Sequence, residues 1–229
     1  MFLTKDNQLK VRKMVVAGVI TVFLVFAGIL FFDKPLYLFL RNFDCGLWDF
    51  IAAVFGAKIW IASAFVAVLV FCIKKYLNSN ACFKNAKNKF SVPVMVCDFF
   101  AKMRASYAVL IFSSVLSAGI IVKLLKVLIG RARPVFFEAL GQTGFYPLNW
   151  DWAFNSMPSG HTAVSFAGLV MIGMLAPKYK VLTWTMAIVI GFSRVAVGAH
   201  WPSDVIFGAF IGMVIADVIK WLFLNKVNR

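Results

Sequence analysis

Residues 14–32 run for nineteen positions without a charged side chain, and five later stretches are nearly as apolar: 50–73, 107–129, 161–176, 181–197 and 205–224. A helix needs roughly 20 apolar residues to cross the hydrocarbon core of a bilayer. Inside that core only helices and closed barrels satisfy their own backbone hydrogen bonds. With 62% hydrophobic and 14% charged residues, the chain lies far from the balance of a soluble domain. These runs predict an all-α polytopic membrane protein, a six-helix bundle with both termini cytoplasmic. It reads as a single domain over residues 1–229, with a motif-bearing core at about 107–224. The first stretch follows a basic start, as a signal peptide would. It is long, however, and lacks a small-x-small cleavage site before Asp33, so it reads as a retained helix.

A net charge of +15 would suggest nucleic acid in a soluble protein, but its placement argues otherwise. Lys5, Lys10, Arg12 and Lys13 precede the first run, Lys74, Lys75, Lys84, Lys87, Lys89, Lys102 and Arg104 fill the segment 74–106, and Lys178, Lys180, Lys220, Lys226 and Arg229 follow. With a cytoplasmic N-terminus all of them fall inside, which the positive-inside rule explains without a nucleic-acid partner. Membrane lipids with anionic headgroups are the natural neighbours, and no obligate protein partner is implied. Residues 33–49 read as an outer connection of mixed charge. The stretch 92–103 reads either as an amphipathic helix on the inner surface or as a solvated basic loop. Residues 130–160 form a second outer segment, broken from the preceding helix by Gly130 and Pro134. Its Trp150 and Trp152 suit an interfacial aromatic belt. Cys45 is expected outside, Cys72 in a helix, and Cys82 and Cys97 inside, so no disulfide framework emerges. No CxxC or Cys/His cluster is present, so no metal or cofactor is expected.

The only two histidines, His161 and His200, each sit in a short motif suited to phosphate. His161 closes Pro158-Ser159-Gly160-His161. His200 follows Ser193-Arg194 by six positions from the arginine and precedes Asp204 by four. Lys126 and Arg133-Pro134 complete the set. Under the proposed topology all of these lie near the outer ends of helices three to six. Ser159 and Gly160 open a helix whose free N–H groups and dipole favour an anion. Arg133 and Arg194 offer planar forks that match phosphate oxygens, and Lys126 adds a compact charge. Asp204, four residues beyond His200, shares its helix face and can accept from one ring nitrogen, which leaves the other free to attack.

The pattern Lys126-x6-Arg133-Pro134, Pro158-Ser159-Gly160-His161 and Ser193-Arg194-x5-His200-x3-Asp204 resembles the type 2 phosphatidic acid phosphatase (PAP2) superfamily, in its membrane lipid phosphate phosphatase branch. The resemblance implies a metal-independent phosphatase at the outer face of a bacterial inner membrane, acting through a phosphohistidine. It makes His200 the nucleophile, Asp204 its orienting partner and His161 the general acid and later base. Lys126, Arg133, Ser159, Gly160 and Arg194 would bind the phosphoryl oxygens. The expected substrates are a polyprenyl diphosphate, phosphatidylglycerol phosphate, phosphatidic acid or a lipid A phosphate. The two acids of the outer segment, Glu138 and Asp151, weigh slightly against a highly anionic headgroup. Alternatives with the same pocket are a lipid phosphotransferase and a non-hydrolytic lipid-phosphate binding or flipping protein. Three further charges need an account. Lys123 reads as a snorkelling lysine. Arg131 reads as a residue able to reach a headgroup, and Asp217 as a partner of Lys220 or another basic group.

Overall fold

The computed structural model describes residues 2–3, 8–85 and 106–225, with side chains omitted for 75–85 and 224–225. The inner stretch 92–103 lies outside the described residues, as do the side chains of Cys82 and Cys97. The fold is all-helical, and the only β pairings among the described residues are isolated bridges. In chain order the helices are α1 (Val11–Ala27), α2 (Asp33–Arg41), α3 (Gly46–Val54), α4 (Ala57–Asn85), α5 (Tyr107–Ile129), α6 (Pro134–Leu140), α7 (Gly160–Leu175), α8 (Lys180–Ala196) and α9 (Pro202–Asn225). Among the described residues four helical runs are long and apolar enough to cross a membrane: Val11–Arg41, Gly46–Lys74, Tyr107–Ile129 and Pro202–Phe223.

One expectation needs correction. The segment 33–49 is not a plain connection. A five-residue π-helical stretch, Gly28–Phe32, carries α1 without a break into α2, and α3 begins at Gly46. The wider π turn shifts the side-chain register, so that Asp33 and then Tyr37, one turn later, face inward and are buried. The expected helices at 161–176 and 181–197 are present as α7 and α8, which run 16 and 17 residues. Both fall short of the roughly 20 residues a lone spanning helix needs. For α7 the reason is its position. It is buried along nearly its whole length and packs against α5, α8 and α9. Other helices enclose it, so its own ends need not reach the bilayer surfaces.

Small residues set that packing. A side chain at Gly208 would stand 2.6 Å from the Ser159 carbonyl oxygen, and one at Gly212 would stand 2.4 Å from that of Ala163. Gly208-x3-Gly212 thus lets α9 press its backbone against the start of α7, as small-x3-small stripes do in membrane bundles. At the end of α5, Gly130 adopts φ +61°, and a Cβ there would lie 1.7 Å from the Tyr146 carbonyl oxygen. Only glycine fits that reversal, which directs residues 131–159 across the top of the bundle.

At the opposite end Asp217 is buried and accepts the backbone N–H of Phe2 at 2.9 Å. Its charge acts on Lys220, whose Nζ donates to the Met174 carbonyl at 3.3 Å. Lys123 is exposed on α5.

Candidate active site

The segments that carry the motifs meet at one end of the bundle. The C-terminal turn of α5 supplies Lys126, and Arg133 stands at the N-cap of α6. Ser159, Gly160 and His161 open α7, Arg194 ends α8, and His200 and Asp204 flank the start of α9. The Ser159 N–H donates to the Asp204 carbonyl at 3.0 Å, which ties the start of α7 to that of α9. No side chain caps the first turn of α7, since the Ser159 hydroxyl accepts instead from Thr162 Oγ1 at 2.8 Å. The leading N–H groups of α7 therefore keep their anion-binding potential. A Cβ at Gly160 would meet Lys126 Cε at 3.6 Å, so the lysine stem packs directly against this turn.

The four cations divide into two kinds. Lys126 and Arg133 are held by backbone carbonyls. Lys126 Nζ donates to those of Asn155 and, at 3.3 Å, Ser156. Arg133 donates to Trp152 at 2.9 Å, Ala199 at 3.0 Å and Asn155 at 3.3 Å, with its guanidinium 4.2 Å from the Trp152 ring centroid. Carbonyls orient a cation without cancelling its charge, so both remain available to an anion. Burial, together with the like charge of Arg194 and against the pull of Asp204, pushes Arg133 down to about 10, still cationic at neutral pH. Arg194 contributes a buried Nε with no hydrogen-bond partner among the described residues. The stacking partner of Arg133 is Trp152, so that ring does more than mark the interface.

Arg131 is the other kind, and the expectation of a headgroup contact is corrected. It is buried, and one nitrogen donates to Asp204 Oδ1 at 2.6 Å and Ser203 Oγ at 2.7 Å. The other donates to Asp33 Oδ2 at 2.6 Å. Two carboxylates neutralise it, so it holds structure together and offers no free charge.

Asp204 is fully buried. Besides Arg131, its carboxylate accepts from Ser156 Oγ at 2.5 Å and the Trp201 N–H at 2.9 Å. His200 Nδ1 lies 3.7 Å from Asp204 Oδ2, beyond hydrogen-bond reach, and has no other partner among the described residues. In this structure Asp204 therefore faces the imidazole as a nearby charge. Burial holds His200 well below the ordinary histidine range, against the opposing pull of Asp204 and with help from Lys126 and Arg133. The ring is neutral at neutral pH. His161 points toward the break between α3 and α4, its Nε2 3.7 Å from where a Cβ on Gly56 would stand. Both imidazoles lie within electrostatic reach of Lys126 and Arg133.

Reasoning from sequence missed Asp33, Ser156 and Ser203. The one available signal was Asp33, an acid placed directly after a nineteen-residue apolar run.

Cations without carboxylate partners, beside two imidazoles at one end of an apolar helix bundle, make a site chemically suited to an anion. The chain belongs to the PAP2 superfamily, whose profile it matches over residues 107–228, more than half its length. It is similar to the lipid A 1-phosphatase of Rhizobium etli, 43% identical over 102 residues that make up 44% of each chain. A lipid A 1-phosphatase of Rhizobium johnstonii is 42% identical over 112 residues, covering 47% of this chain and 46% of that one. That of Porphyromonas gingivalis is 39% identical over 74 residues, covering 31% and 17%. The chain thus spans less than half the length of these curated relatives. No solved structure gives a significant match.

Proposed function

We propose that this protein is a lipid phosphate phosphatase that removes a phosphate from a membrane lipid through a phosphohistidine, with no metal. His200 Nε2 attacks phosphorus while the bond to the lipid oxygen breaks, and His161 gives that oxygen its proton. His161 then takes a proton from water. The resulting hydroxide attacks the phosphohistidine, inorganic phosphate leaves, and His200 is restored neutral. Lys126, Arg133, Arg194, Ser159 and the Gly160 N–H stabilise the charge on the equatorial oxygens, and Asp204 steadies the imidazolium-like nitrogen. The observation that carries this reading is that Lys126 and Arg133, hydrogen-bonded to backbone carbonyls and not to a carboxylate among the described residues, stand beside a buried neutral His200.

The proposal includes six spans in one membrane-embedded domain, with α7 and α8 as the shorter inner members and both termini cytoplasmic. The site then faces the outside of a bacterial inner membrane. Among lipid substrates the names of the relatives favour the 1-phosphate of lipid A. The acids that weighed against an anionic headgroup are already engaged. Glu138 accepts from Tyr37 at 2.6 Å and Arg41 at 3.1 Å, and Asp151 caps the Ala153 N–H at 3.0 Å.

Purified protein in detergent micelles, offered lipid A 1-phosphate, a polyprenyl diphosphate, phosphatidylglycerol phosphate and phosphatidic acid, is expected to release phosphate fastest from lipid A. Phosphate appearing on an added lipid or sugar hydroxyl would make it a transferase. Binding with no phosphate release from any of the four would sink the enzyme reading, and full activity lost to a chelator and regained with a divalent ion would sink the metal-free mechanism.

A pH profile provides a second check. The reaction needs His200 neutral. Its folded pKa lies well below 6.5, so its protonation removes activity only as pH falls far under that value. The acid limb of kcat/KM is therefore expected well below pH 6.5, the ordinary histidine value. An acid limb centred near that ordinary value would show that the ring is not buried during turnover.

A further inference from the structure

We infer that Asp33 is a positioning residue for the nucleophile, acting through Arg131 and Ser203 on the carboxylate of Asp204. The inference rests on the phosphatase reading and adds to it a residue outside the stretch 107–228 that defines the family. Asp33 lies at the start of α2, directly after the π-helical stretch, and is 2% exposed. It takes three donors: the Ser203 N–H at 2.9 Å, the Ser203 hydroxyl at 2.6 Å and an Arg131 nitrogen at 2.6 Å. Every partner is also buried. The approach is tight, since a Cβ on Gly28 would stand 2.9 Å from Ser203 Cβ and 3.3 Å from Asp33 Oδ1.

The geometry divides the Arg131 fork between two acids. One nitrogen is committed to Asp33, and the other reaches Asp204 Oδ1. That division leaves Asp204 Oδ2 to Ser156, the Trp201 N–H and the face of His200 Nδ1. Without the Asp33 carboxylate, both Arg131 nitrogens are free to turn onto Asp204. A bidentate pair is the stronger arrangement, and it would draw the carboxylate away from the imidazole and neutralise more of its charge. The orienting charge behind the nucleophile is thus set by a residue of the N-terminal helices. Asp33 is one of two acids around one arginine, so its removal leaves a neutral Arg131–Asp204 pair and does not strand a charge.

The test compares Asp33→Asn with the parent protein on whichever of the four panel lipids the parent hydrolyses fastest. Both are quantified as the monodisperse fraction from size exclusion. Asp33, Arg131 and Asp204 belong to one hydrogen-bonded charge network, so a loss of roughly 10–100-fold is expected, in kcat with KM little changed. Ser203→Ala removes only the bridging hydroxyl and is expected to lower kcat in the same way, to a smaller extent. The double variant is expected to be no worse than Asp33→Asn alone, because both act through the same guanidinium. Asp33→Asn with a kcat within about twofold of the parent overturns the inference, as does full multiplication of the two single effects. Should Asp33→Asn not yield folded protein, Ser203→Ala decides: an unchanged kcat overturns the inference, and a lowered kcat at constant KM supports it. A parent that releases phosphate from none of the four lipids overturns the phosphatase reading, and this inference falls with it.

Discussion

His200→Ala is expected to abolish phosphate release, by a factor on the order of 10⁴ or more, as loss of a covalent nucleophile does elsewhere. The protein is expected to fold regardless. The ring is 2% exposed, but its Nδ1 makes no hydrogen bond among the described residues, so the substitution strands no partner. Its main structural cost is a cavity beside Asp204 and Trp201. Two measurements check this together: phosphate release under single-turnover conditions, and the elution profile and thermal melt of the purified variant. Turnover near the parent rate would remove His200 from the nucleophile role. Arg133 and Lys126 would then be read as parts of a binding pocket.

Arg131→Met is expected to have the largest effect on stability. It leaves Asp33 and Asp204 buried, close together and without the cation that neutralises both. Breaking a buried ion pair by removing one partner costs about 3–5 kcal/mol, and here one residue serves two pairs. Against a typical total stability of about 5–15 kcal/mol, much of the variant should fail to fold. Arg131→Lys keeps the charge but replaces a two-nitrogen fork with a single point, so it should fall between parent and Met variant. Tryptophan fluorescence melts in detergent would rank the three. A Met variant melting within about 2 °C of the parent, less than roughly 1 kcal/mol, would mean that the cluster carries no such load.

The same residue shows where reading from sequence stopped. Arg131 lies two positions before Arg133, in the same loop and with the same side chain, and from sequence it reads as a residue able to reach a headgroup. What separates the two is the chemistry of their acceptors. Carbonyls of Trp152, Asn155 and Ala199 hold Arg133, and carboxylates of Asp33 and Asp204 hold Arg131. Asp33 is 98 residues away along the chain, and no local pattern announces that contact. Its burial depends on the π-helical stretch, which a periodicity of 3.6 cannot reveal. Apolar length identifies α1, α5 and α9 well, because lipid-facing helices must match the bilayer. It also places α7 to within a residue at each end, but not its enclosure by other helices, which depends on packing.

Composition and spacing alone determined that this chain is helical, membrane-embedded and marked by the motifs of the PAP2 superfamily. Hydropathy and the separations among Lys126, Arg133, His161, Arg194, His200 and Asp204 are properties of the linear chain. Only the tertiary structure decided which cations stay charged toward an anion and which are neutralised inside the protein. A guanidinium has the same pattern in sequence whether a carbonyl or a carboxylate lies beside it. Long-range packing, here of α2 and α9 around Arg131, makes that choice.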